Sequence, residues 1–254
     1  MITIAFVNES TRVSDVDVRL CMGALQAQII EDYYPTYGTL ALLEFRAKGS
    51  PIPKGTWELV FADNSPQAQA LGYHETTANG DPIGYCFVGS DLDAGESWTV
   101  TASHEMLEML GDPDIQLVEE EDNNDGSFTM RMHEMCDACE DDSLAYTKKQ
   151  SDGTDFRLSD GSSVLFSDFV LPPYWDVNAP AGSKFDFQGK ISAPFQILTG
   201  GYMGILQIPA GPQWGQITAD KATGQLVPGG KTIVPLNRRA RRMTPDRMWK
   251  RSTR

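Results

Sequence analysis

Residues 2–7 (Ile-Thr-Ile-Ala-Phe-Val) are an apolar run rich in β-branched side chains that ends at Asn8-Glu9-Ser10, the pattern of a strand. Ser14 followed three residues later by Asp17 has the form of a capping box, and Val16, Leu20, Ala24, Ala27 and Ile30 then recur at helical spacing until Pro35. That spacing predicts one amphipathic helix. Residues 40–45 and 57–61 predict two further strands separated by a Gly-Ser-Pro-Ile-Pro-Lys-Gly turn, residues 63–81 are polar and turn-rich, and residues 84–88 predict a short strand. Residues 97–110 (SWTVTASHEMLEML) carry no Gly or Pro, and Gly111 then Pro113 supply a stop, so a second helix is expected there.

Beyond Gly111 the pattern turns to strand and loop. Residues 115–118 and 127–132 flank an acidic stretch, 119–125, whose Asn-Asn-Asp-Gly predicts a hairpin turn. Residues 164–170 predict another strand, followed by a Pro/Gly-rich region to about residue 236. No internal repeat is visible. The partition is an N-terminal subdomain, residues 1–112, carrying the second helix; a β- and loop-rich subdomain, residues 113–236, completing one cleft; and a tail, residues 237–254. The fold class expected is α+β.

Composition changes this picture little: 41% apolar and 22% charged residues in 254 describe an ordinary globular chain with ample core. No window approaches the roughly 20 apolar residues of a membrane helix, and the opening run lacks the basic flank and cleavage site of a signal peptide. The expected location is the cytoplasm of the producing cell or a virion. Four cysteines are too few for a disulfide framework at this length. Charge is more informative. The net of −14 divides into a tail of eight basic side chains against Asp246 alone and a body, residues 1–236, with 13 basic and 34 acidic groups. Such a body repels phosphate and argues against a nucleic-acid module; the tail suits an acidic protein face, nucleic acid or the body itself.

The candidate chemistry lies in His104-Glu105-Met106-Leu107-Glu108. On a helix, positions 104 and 108 stack on one face, so an imidazole and a carboxylate can converge on one ion. Glu105 lies about 100° around the helix, placed to act as a base toward the ion's open side. The familiar form is HExxH; here Glu108 replaces the second His. A carboxylate is a legitimate zinc ligand, but its added negative charge makes the ion a weaker Lewis acid and better tolerates a harder metal. The flanking Met and Leu residues make the helix apolar on its other faces, so its polar stripe is expected to line a cleft.

A second cluster follows at residues 133–140, HEMCDACE. A four-thiolate site is disfavoured because Cys21 and Cys86 are single and distant; a Cys136–Cys139 disulfide stays open. Glu134 or Asp137 is expected to bring a further oxygen to the ion, with Asp112 and Asp114 as competitors. Asp114 stands ten residues after His104 with Gly111 at seven, the spacing of HExxHxxGxxH, whereas Asp112 before Pro113 can simply terminate the helix. His74 reads as a loop residue or as a wall of the cleft. The acidic stretches 119–125 and 140–142 do not fit an EF-hand loop and read as solvated turns.

Several segments together resemble a known family: residues 71–77 (LGYHETT), 90–93 (SDLD), 99–113 (TVTASHEMLEMLGDP), 134–137 (EMCD), 164–172 (VLFSDFVLP), Pro194-Phe195 and Gly200-Gly201-Tyr202. They resemble zincin-like proteins of bacteria and tailed phages over residues 1 to about 240, and the HExxExxxDP motif followed by ExxD is similar to a wider metallopeptidase-like group. The resemblance implies a twisted, mostly parallel sheet with a backing helix, an edge strand over the cleft and an active-site helix. It further implies His104 and Glu108 as metal ligands, Glu105 as general base and Glu134 or Asp137 as the additional oxygen. The leading expectation is a hydrolase dependent on zinc or another divalent metal, acting on a peptide or protein. The alternative is a phage virion structural or interaction protein with a vestigial site, docking on virion proteins or another acidic surface through residues 237–254.

Overall fold

The opening apolar run is strand β1 (Ile2–Asn8) of a five-stranded sheet. Strands β2 (Ala41–Arg46) and β3 (Trp57–Ala62) flank it in parallel, β5 (Pro82–Phe87) runs parallel to β3, and β4 (Gly72–Thr76) closes one edge antiparallel to β5. The order is β2-β1-β3-β5-β4. β1 is buried on both faces, as parallel strands are. Ile4 and Phe6 join the main core with Leu59, Phe61 and Cys86, while Ala5 and Val7 meet Val60 and Ile83 in a small cluster on the other face. This computed structural model describes residues 1–66, 70–208 and 215–228. The basic tail, residues 237–254, lies outside the described residues.

Helix α1 (Asp15–Gln28) starts as expected, with the Ser14 side chain accepting from Asp17 N. Its buried face differs from the expected stripe. Val18, Cys21, Ala24, Leu25 and Gln28 face the core, whereas Val16, Leu20 and Ile30 are exposed. Ala24 belongs to both stripes, but the buried one is rotated around the helix from the expected one and also carries Gln28. Pro35 does not stop the helical path either. A π turn, Ile29–Tyr33, widens the ladder, and a short helix α2 (Tyr34–Tyr37) takes Pro35 in its first turn, where no N–H is needed. Gly38, at φ +69°, ends it.

The stretch read as turn-rich contains β4, and a helix α3 (Val88–Ala94) follows β5 directly. Helix α4 (Trp98–Gly111) then packs on the same sheet face as α1. From Trp98 to Leu110 every residue but Thr101 is buried. Ser103 Oγ of α4 donates to Gln28 Oε1 of α1 (2.8 Å) and accepts from Ser167 N (3.0 Å), joining both helices to a later segment.

The second sheet is antiparallel, ordered β10-β9-β8-β7-β6, from β6 (Val118–Asp122), β7 (Phe128–Met132), β8 (Tyr202–Ile208), β9 (Gly215–Ala219) and β10 (Leu226–Pro228). The hairpin turn at 123–127 is as expected, but half of the acidic stretch belongs to β6 rather than to a loop. Glu121 pairs with Arg131 at 2.5 Å and Glu119 with His133 at 3.1 Å across the hairpin. Residues 164–170 are not a strand. Their backbone groups pair through isolated bridges and side chains, including Tyr146↔Phe166, Val170↔Asp186 and Ser167 N to Ser103 Oγ. With Phe166 and Phe169 fully buried, the run meets its extended neighbours one bridge at a time, so no continuous ladder forms. One core cluster includes residues from both halves, from Ile4 to Ala219. The architecture is mixed α+β with two sheets and few helices, and no described helix is long and apolar enough to cross a membrane.

Asp168 and Asp186 form a fully buried carboxyl pair inside this core. Asp186 accepts from the amides of Lys190 and Ile191 (2.9 Å each), and Asp168 Oδ1 accepts from Phe169 N (2.8 Å) and Gln188 N (3.0 Å). Asp168 Oδ2 accepts no hydrogen bond from a described group, and Asp186 lies beside it. Burial, then the neighbouring Asp186, raise the Asp168 pKa to about 8. The folded chain therefore holds a proton that the unfolded chain releases near pH 4, and stability falls as pH rises between those limits. The slope from this group is at most about 1.4 kcal/mol per pH unit. Asp168→Asn keeps the acceptor and a permanent donor, so its melting temperature should gain on wild type steadily from pH 5 to pH 8. Parallel curves across that range would show that Asp168 is not protonated there.

Candidate metal centre

Helix α4 presents His104, Glu105 and Glu108 toward β4 and toward the turn at Asp137–Cys139, and the burial of its remaining surface fixes that orientation. Their residual exposures of 6, 4 and 2% mark a nearly enclosed cluster rather than an open cleft wall. His104 Nε2 lies 3.3 Å from Glu108 Oε1 and 3.3 Å from Asp137 Oδ1. Cys136 also reaches this corner, and its thiol, His104 and Glu108 offer ligand atoms within 4.8 Å of one another. Cys136 N donates to Glu108 Oε1 (3.4 Å).

His74 is the residue whose importance the sequence hid. It sits in β4, fully buried, with Nδ1 3.4 Å from Glu108 Oε2 and 3.5 Å from Glu105 Oε2. Its other nitrogen, Nε2, lies 3.9 Å from Glu134 Oε2. Strand alternation is the signal that could have found it. Gly72 and His74 share the β4 face turned to α4, while Tyr73 on the opposite face joins an aromatic cluster with Tyr85 and Phe87. The polar, turn-rich surroundings masked that alternation.

Both Glu134 and Asp137 therefore come to the cluster, but to different ends of it: Asp137 to His104 and Glu134 to His74. The competitors do not. Asp112 is buried but spends its carboxylate on the amides of Gln116 (3.0 Å) and Leu117 (2.9 Å), closing the end of α4. Asp114 is exposed and bonds Gln116 Nε2. Gly111 has a different use from the one its spacing suggests: it is still helical, and a Cβ there would collide with Met135, next to Glu134. All four cysteines are free thiols, so Cys136 and Cys139 are not bridged.

The separations carry chemical information. At 3.3–3.5 Å the four imidazole–carboxylate pairs are longer than good hydrogen bonds. They match the ligand–ligand edge, about 3.3–3.4 Å, of a tetrahedron with bonds of 2.0–2.1 Å to nitrogen and oxygen. Burial would lower the His104 pKa, but Glu108, Asp137 and Glu105 together hold it well above the ordinary value. Burial raises the Glu108 pKa well above the carboxylate range, His104 opposes this, and Asp137 and Glu134 push it further up.

No protein-family model matches the chain, and no curated protein or solved structure matches it. The side chains themselves carry the functional reading.

Backbone approach at Gly72 is a condition for this geometry. A Cβ there would lie 2.6 Å from Glu105 Oε1 and 2.7 Å from Thr101 Cγ2. Gly72→Ala should force Glu105 away from His74 at an overpacking cost of about 1–3 kcal/mol. The expected result is a lower melting temperature by differential scanning calorimetry; an unchanged melting temperature would show that Glu105 gives way at no cost.

Proposed function

We propose that the chain is a hydrolase dependent on zinc or another divalent metal, acting on a peptide or protein. His104, Glu108 and Asp137 would hold the metal, and Glu105 would serve as general base. The observation that carries this reading is the equal 3.3 Å spacing of Glu108 Oε1 and Asp137 Oδ1 from His104 Nε2. A bound divalent ion supplies Lewis acidity, polarising a carbonyl and lowering the pKa of a water molecule. Glu105, next to His104 on α4, stands where it can take up the proton released. His74, 3.5 Å from Glu105 Oε2, holds that carboxylate toward the centre. His104, Glu105, Glu134 and Asp137 each retain 4–6% exposure, which gives solvent a narrow approach. Four parallel strands, an antiparallel edge strand beside α4 and α1 on the same sheet face support the zincin-like arrangement that the sequence resembles.

The enclosure also supports a second reading, an interaction protein of virion type in which the centre ties β4, α4 and residues 134–137 together without turnover. Two variants separate the readings. Purified protein should carry tightly held divalent metal that His104→Ala loses. Glu105→Gln should keep the ion at His104 and lower cleavage of a denatured protein substrate by about 10²–10⁴-fold. If Glu105→Gln cleaves as fast as wild type, the hydrolytic account fails and the interaction reading remains.

A further inference from the structure

Glu108 faces two imidazoles at once. Its Oε1 lies 3.3 Å from His104 Nε2 and its Oε2 lies 3.4 Å from His74 Nδ1. Each oxygen belongs to a separate set of ligand atoms: His104 with Asp137 and Cys136 on one side, His74 with Glu105 on the other. A carboxylate placed this way is a bridging donor. The second set has tetrahedral-edge spacings of its own, 3.4 and 3.5 Å. Behind it, Glu134 Oε2 lies 3.9 Å from His74 Nε2, beyond hydrogen-bond reach but close enough for its charge to favour Nε2 as the protonated nitrogen and leave Nδ1 as the ligand.

We infer that the centre takes two divalent cations bridged by Glu108, the second held by His74, Glu105 and Glu108 and oriented by Glu134. This rests on the divalent-metal reading of His104, Glu108 and Asp137 and extends it. Glu105 is a ligand in the doubly loaded protein, and its proton-accepting role belongs to the singly loaded form.

The test is calorimetric titration of zinc chloride into the full-length, chelator-stripped protein, with metal counted by mass spectrometry after gel filtration. Wild type should bind two ions per chain in separable steps, and His74→Ala should bind one. Glu134→Gln should weaken the second step by about 10–100-fold with the first unchanged. Circular dichroism checks that His74→Ala is folded; if it is not, the Glu134→Gln titration decides. A wild-type chain that saturates at one ion, or a second step indifferent to Glu134→Gln, overturns the two-cation centre and leaves the single-metal reading intact. A chain that binds no zinc overturns both.

Discussion

Four carboxylates and two imidazoles sit together where water scarcely reaches, and that arrangement constrains everything around it. Charges of one sign removed from solvent cost several kcal/mol each unless something opposite meets them. His74 and His104 face them and offset part of that charge. The raised pKa values of His104 and Glu108 are the electrostatic trace of that imbalance.

The rest of the fold supplies the rigidity that such a cluster demands. Helix α4 is gripped along nearly its whole length, so its polar stripe has one direction to face. Small residues let the walls come close: Gly72 admits Glu105, and Gly84, paired with His74 across the β4–β5 ladder, admits Met109. The Asp137 turn is held from behind by the second sheet. Leu198 N donates to Ala138 O at 2.9 Å, and a Cβ at Gly201 would come within 2.5 Å of the same carbonyl. Asp142 Oδ2 accepts from Ser97 N at 2.6 Å, which ties the same region to the start of α4. The second sheet thus acts on the centre at a distance, by fixing the backbone that carries Asp137.

Much of this was legible locally. The α4 boundaries, the Ser14 cap, the hairpin turn and the helical register that stacks His104 over Glu108 all follow from short-range rules, and the structure agrees with each. Where local rules gave the wrong answer, a partner was missing from the window. The Val16–Ile30 stripe of α1 is as periodic as the buried one, and only the sheet and Ser103 decide between them. Residues 164–170 have strand composition, yet a strand needs a continuous ladder, and their backbone neighbours supply only isolated bridges.

The amino-acid order by itself determined β1, α1, β2, β3, β5, α4 and the β6–β7 hairpin, the acidic body and the pairing of one imidazole with two carboxylates on a single helix, because hydrogen-bond periodicity acts within a few residues. Only the tertiary structure decided that His74 belongs with them, that Glu134 and Asp137 part to opposite ends, and that Asp112 stays out. Those choices depend on which backbones pack together across 30 or more positions of sequence, and packing is a property of the assembled core rather than of any segment in it.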